Sequence, residues 1–249
     1  MIVLFFALGL AFGSFVNALA FRLKNDRPVI FGRSFCPKCG HPLSWWQLIP
    51  LFSFLVLSGR CYYCKASISW HYPAVEFIAG ISLAMLIWQK HYLLDMPLLL
   101  IFSLLIIVLL IFIALYDWRE LQILDLSVAL GLILALAVRF LTFDIVISFV
   151  AAAALTVLFA GIYFISRGRW IGFGDVKLAV FLGLLSGPLT PLMLILASVL
   201  GLLVGLYKII FKGGNLRTKL PFGTFLAASA LFIFIFESEI SNFIFRNLY

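Results

Sequence analysis

"VKLAVFLGLLSGPLTPLMLILASVLGLLVGLYKIIF", residues 176–211, is long enough for one membrane span and short for two, since a helix crosses the hydrocarbon layer with about 20 apolar residues. The segment "SGPLTP" at 186–191 holds two prolines and a glycine, which marks a turn. The reading is therefore two spans, 175–186 and 190–209. The first is short. Twelve residues or so at 1.5 Å each reach only about 18 Å. A helix that starts at "GFGD", residues 172–175, then has its N-terminus recessed below the bilayer surface.

The rest of the chain supports a membrane setting. Of its 249 residues 65% are hydrophobic and 11% charged, with a mean hydropathy of +1.19. That composition points to a polytopic membrane protein. Besides the two spans above, apolar runs fall at about 1–21, 73–89, 97–116, 126–143, 145–165 and 223–241, giving eight. The first run is read as a span and not as a secretory signal. "MIVLFFALGL" lacks a basic start, and its positive charge follows the apolar stretch.

A net charge of +8 would suggest nucleic acid in a soluble protein. Here its distribution decides, and no nucleic-acid partner is expected. With the N-terminus outside, the loop at 22–72 is cytoplasmic and carries Arg22, Lys24, Arg27, Arg33, Lys38, Arg60 and Lys65. Other inside segments add Arg119, Arg167, Arg169, Lys177, Lys208, Lys212, Arg217 and Lys219, leaving only Lys90, Arg139 and Arg246 outside. Positive loops stay in the cytoplasm. Merging residues 176–211 into one span would put the basic loop at 212–219 outside, so the charge rule also favours two spans. The expected organisation is a first helix at 1–21, a cytoplasmic loop domain at 22–72 and a seven-helix core at 73–249.

All four cysteines fall in that loop, as "CPKCG" and "CYYCK". Two C-x2-C knuckles can present four thiolates as a tetrahedron, so Cys36, Cys39, Cys61 and Cys64 are expected to bind structural zinc. Four protein ligands leave no open position for catalysis. Redox-active dithiols and unligated thiols are the alternatives. Structural disulfides do not suit a cytoplasmic loop. His41, His71 and His91 are scattered and receive no chemical role.

The sidedness of the acids is more telling. The third span ends in "IALYDWRELQILD", so Asp117 and Asp125 share the cytoplasmic face with Asp175. An acid at a span end is ordinary by itself. Two carboxylates brought together in a poorly solvated place share a proton. Such a pair can activate water against an amide without an acyl-enzyme. Gly172 and Gly174 permit close approach of an extended peptide, and the helix start favours an anion at Asp175.

Five segments in order resemble the type IV prepilin peptidase family of membrane aspartyl proteases. They are "GLAFGSFVNALAFRL" at 9–23, the cysteine-bearing stretch at 35–76, "DWRELQILD" at 117–125, "GFGDVKLA" at 172–179 and "LPFGTFLA" at 220–227. The resemblance implies that Asp117 and Asp175 are the catalytic pair. It implies removal of the basic leader from type IV prepilins or type II secretion pseudopilins in the bacterial inner membrane, with pilus or secretion assembly machinery as further partners. It also implies N-methylation of the new terminus with S-adenosylmethionine. Leu124 stands where that family's first aspartate motif has proline. Asp125 is read as a cap or polar anchor for the fourth span. The chain has no glycine-rich dinucleotide fingerprint, so a donor site must use the loops and the membrane boundary, where Asn17 and Glu76 are candidates for binding or for helix packing. A proton- or ion-coupled transporter is the rival reading, but the acids do not sit inside two corresponding half-repeats. A scaffold built on the zinc loop would leave "GFGD" unexplained.

Overall fold

The long apolar stretch breaks at Gly187, whose φ of +52° lies where glycine is favoured. The computed structural model describes residues 1–29, 32–142, 144–213 and 220–248; the loop positions Arg217 and Lys219 lie outside the described residues. In chain order the helices are α1 (Ile2–Lys24), α2 (Phe52–Val56), α3 (His71–Gln89), α4 (Pro97–Glu120), α5 (Asp125–Leu141), α6 (Ile145–Ser166), α7 (Phe173–Ser186), α8 (Thr190–Lys212) and α9 (Phe222–Leu248). Among the described residues the protein is all-α, and extended pairing is confined to the isolated bridges Phe35–Pro42 and Arg60–Ser67.

Eight of these helices fall on the eight expected spans. Among the described residues six stretches are long and apolar enough to cross a membrane, residues 173–211 counting as one of them. Within it a short 3-10 turn, Gly187–Leu189, separates α7 from α8. Pro188 cannot donate a helical hydrogen bond, and Pro191 occupies the first turn of α8, where none is needed. The Thr190 hydroxyl donates to the Gly187 carbonyl at 2.7 Å and ties the turn. With 14 residues, α7 rises about 21 Å, slightly longer than its sequence suggested but well short of a bilayer.

The chain divides into two compact units, Met1–His91 and Tyr92–Tyr249. In the first, α1 and α3 pack tightly because small residues meet. A Cβ on Gly13 would lie 2.6 Å from the Glu76 Cα, and Gly9 faces the backbone of Ala79 and Gly80 just as closely. Glycines four apart on one face are the membrane's means of bringing helix backbones together. The loop between α1 and α3 carries the cysteine knuckles and α2. Around α2, Trp45, Leu48, Phe52, Leu55 and Val56 are exposed, an apolar surface suited to the headgroup boundary.

In the second unit α7 is the buried centre. Leu178, Ala179, Phe181, Leu182 and Leu185 are fully enclosed, and α7 packs against α5, α6 and α9. Gly183 lets α6 approach, a Cβ there falling 2.6 Å from the Ala152 Cα, and Gly131 of α5 makes room for the Phe181 ring. Helix α4 packs on α5 and α9.

One polar cluster lies deep in this unit. Arg139, counted from the sequence among the charges on the outer side, is 3% exposed and pairs with Glu237 Oε1 at 2.6 Å. Its guanidinium also donates to the carbonyls of Leu184 and Leu185. These belong to the last turn of α7, whose carbonyls have no partner within the helix. A short helix that stops inside the unit needs such a donor.

Candidate active site and metal centre

Asp117 occupies the last turn of α4 and is 5% exposed. Its Oδ2 receives the Thr224 main-chain N–H at 2.7 Å and lies 3.1 Å from the Thr224 hydroxyl. That hydroxyl also reaches the Ala114 carbonyl at 3.0 Å. One hydroxyl proton faces two acceptors. Donated to Asp117, it steadies the carboxylate; donated to Ala114, it frees a lone pair to accept from a protonated Asp117. The arrangement suits either protonation state. Thr224 lies in the first turn of α9 within "LPFGTFLA", and sequence reasoning did not single it out.

Asp175 sits in the first turn of α7, where its Oδ2 accepts from the Gly172 N–H at 3.3 Å. The acids of α4 and α7 come within electrostatic reach of each other. Ile123 lies against both segments: a Cβ on Gly174 would meet it at 3.3 Å, and one on Gly223 would meet it at 2.9 Å and the Asp117 carboxylate at 3.0 Å. The glycines of "GFGD" and "PFGT" therefore flank one side chain from the link after Asp117. Any larger residue at 223 would push into the acid.

Asp125 does not cap α5. The N-cap position belongs to Leu124, and Asp125 is the first helical residue. Its carboxylate instead takes Lys177 Nζ at 2.7 Å, a largely solvent-facing pair that ties the start of α5 to the start of α7. Lys177 also lies over the Phe173 ring, 5.1 Å from its centroid. The charged pair at the head of this apolar run is thus divided: Asp175 accepts from Gly172, and Lys177 is held by Asp125. Leu124 has φ −75°, close to the value proline would impose. Its carbonyl accepts from the Ser127 hydroxyl at 2.6 Å. The turn keeps its shape without the ring.

In the first unit the sulfurs of Cys36, Cys39, Cys61 and Cys64 all lie within 4.8 Å of one another, with Cys36 and Cys64 at 3.9 Å. Tetrahedral zinc with bonds of about 2.3 Å requires sulfurs about 3.8 Å apart, so the set fits a four-thiolate site. Crowding separates the thiols. Cys61 is lowered to about 7, chiefly by the Cys64 main-chain N–H. Cys39 is raised to about 11: the His41 N–H lowers it, but partial loss of hydration and the crowding sulfurs of Cys36 and Cys64 outweigh that. A divalent cation would relieve such crowding. His41 stacks beside Tyr63, ring centroids 3.6 Å apart. Asn17 and Glu76 are both buried. Glu76 Oε2 accepts the Leu51 N–H at 2.9 Å, so it pins the loop to α3.

The first class defined by this arrangement is a multi-span helical membrane protein that carries two neighbouring acids at helix ends, together with a four-cysteine loop. Comparison with known proteins narrows it. Residues 7–90 match the bacterial peptidase A24 N-terminal domain, and residues 104–206 match the type IV leader peptidase family. The chain is 33% identical over 218 residues to a prepilin leader peptidase/N-methyltransferase of Legionella pneumophila, covering 84% of this chain and 74% of the relative. With the protein of the same name from Pseudomonas putida it shares 28% over 262 residues, covering 94% and 90%. No solved structure matches the chain significantly. The chain belongs to the prepilin leader peptidase/N-methyltransferase family, whose peptidases are of the aspartic type, and it is a bacterial inner-membrane enzyme.

Proposed function

We propose that this protein removes the leader from type IV prepilins or type II secretion pseudopilins at the cytoplasmic boundary of the membrane, and then methylates the new N-terminus. The observation that supports the peptidase half is that one side chain, Ile123, lies against both Gly174, the neighbour of Asp175, and Gly223, which abuts the Asp117 carboxylate, while Thr224 and Gly172 each donate to one of the two acids.

In the proposed reaction the ionised carboxyl of the pair takes a proton from water, and the water oxygen attacks the scissile carbonyl carbon. The other carboxyl gives its proton to the carbonyl oxygen. When the tetrahedral intermediate collapses, the C–N bond breaks and the nitrogen leaves with a proton returned from the pair. No covalent enzyme intermediate forms. Thr224 and Gly172 act as positioning residues that fix one oxygen of each acid. A prepilin has a basic leader inside the cell and an apolar helix in the bilayer, so its scissile bond lies at the boundary. The Lys and Arg distribution favours that side for both acids, and the shortness of α7 favours a recessed position for Asp175.

S-adenosylmethionine supplies a methyl group to the freed α-amine, of which a useful fraction is neutral at cytoplasmic pH. Residues 22–72 are the zinc-binding loop in this reading, between the first helix at 1–21 and the peptidase core at 73–249. The zinc is structural. Replacement of Cys39 and Cys64, the two exposed thiols, with serine should reduce bound zinc from about one per chain to under a tenth by mass spectrometry of the purified protein. Proteolysis within residues 22–72 should accelerate at the same time. Full zinc content in that variant would contradict the four-thiolate site.

The functional test is incubation of the purified enzyme with a prepilin and radiolabelled methyl donor. The expected result is cleavage at the leader junction and label on the mature N-terminus. Intact prepilin would refute the peptidase, and cleavage without label would leave a peptidase only.

A further inference from the structure

The methylation half of that reading needs a donor site, and the first unit offers one. A cavity of about 370 Å³ lies between the α1–α3 pair and the cysteine loop, within the range of small-molecule sites. Ser14, Asn17, Gln47, Ser53, Tyr72 and Glu76 contribute to its walls. Cys36 and Cys61 line it too, so a metal that gathers the knuckles also shapes the cavity.

Its polar groups are unusual in being left incomplete. Asn17 is 2% exposed and Gln47 8%, and buried amides normally find partners for both ends. Asn17 Nδ2 donates to the Tyr72 carbonyl at 3.1 Å, while Oδ1 has no partner among the described residues. Gln47 Oε1 accepts the Ser44 N–H at 2.7 Å, while Nε2 has none. In each case the main-chain partner fixes which end of the amide is which, so rotating the group would only break the bond it has. One acceptor and one donor are thereby left over beside the same cavity. The Glu76 carboxylate adds a buried negative group, and Arg33 and Lys38 add positive charge along the lining.

We propose that this cavity binds the methyl donor, an adenosyl sulfonium amino acid. A purine edge presents one donor and one acceptor side by side, which match Asn17 Oδ1 and Gln47 Nε2 after small side-chain adjustment. The cationic sulfonium and ammonium suit Glu76, and the amino-acid carboxylate suits Arg33 and Lys38. The apolar wall, with Phe21, Phe35 and Phe54, accommodates the ring face.

The inference rests on the methyltransferase reading, and the experiment separates the two. Tritiated S-adenosylhomocysteine is titrated by equilibrium dialysis onto the full-length, zinc-loaded protein in nanodiscs. Binding of one ligand per chain is expected. Ser53→Phe, which fills the cavity, and Glu76→Gln, which removes its negative charge, should each weaken binding at least tenfold at wild-type zinc content. If the wild type binds and both variants bind equally well, the cavity is not the site. If the wild type binds nothing, the methyltransferase reading fails with it. Photolabelling by tritiated S-adenosylmethionine covers the case of a misfolded variant. Label within residues 14–76 supports the assignment; label confined to 92–249, or a cavity whose only occupant is lipid, overturns it.

Discussion

Asp117→Asn and Asp175→Asn should each reduce leader cleavage by at least a thousandfold while the protein still inserts and melts near its usual temperature. General acid–base catalysis by one positioned side chain contributes about 10²–10⁴ in rate, and each member of a proton-sharing pair serves in both directions. Asparagine keeps the shape of the acid and its contacts. At 117 its oxygen can still accept the Thr224 N–H, now seen at 2.7 Å, and at 175 it can still accept from Gly172. The fold therefore loses little, while the ability to take or give a proton is gone. Asp125→Asn is the useful contrast. Its partner Lys177 lies at the solvent-facing side, and exposed ion pairs are worth about 0–1 kcal/mol. Cleavage should fall by no more than a few-fold. Equal losses at 117, 175 and 125 would mean that the substitutions disturb the helix ends in general.

The second large effect concerns stability. Arg139→Met should destabilise the protein by about 3–5 kcal/mol, the cost of breaking a buried ion pair by removing one partner. Glu237, itself 23% exposed, would lose this guanidinium, and the carbonyls of Leu184 and Leu185 would lose their donor. Glu237→Met added to that variant should restore part of the loss, because two apolar groups are tolerated better than a carboxylate that has lost an ion-pair partner. Thermal melting in detergent reads both. A single variant as stable as wild type would show that the α7 terminus has other partners.

The long helices were legible because apolar runs of membrane length leave few alternatives, and the short α7 was legible from the two prolines and the glycine at 186–191 that separate it from α8. Asp117, Asp175 and the four cysteines were legible as types out of place: acids of one sidedness, and thiols in two knuckles. The Arg139–Glu237 pair was not. Arg139 lies near the end of its apolar run and counts as a flanking charge in any one-dimensional reading, and only the packing of α5 against α7 shows where its guanidinium goes. Thr224 was missed for a similar reason. It is an ordinary residue until α9 brings its N–H to the end of α4. The incomplete amides of Asn17 and Gln47 depend on the folded loop, since nothing local tells a satisfied amide from a half-satisfied one. Asp125 was read as a cap or polar anchor because acids commonly start helices; it is not the cap, and the lysine two residues beyond Asp175 anchors it.

The central claim is that two acids from different helices work as one proton-sharing unit. The pH dependence of kcat/KM for leader cleavage, measured over the range in which the purified enzyme stays folded, tests this most directly. The account predicts a bell: activity falls in acid as the carboxylate that accepts water's proton becomes protonated, and falls in alkali as the shared proton is lost. A single-sided profile, governed by one ionisation, would contradict it.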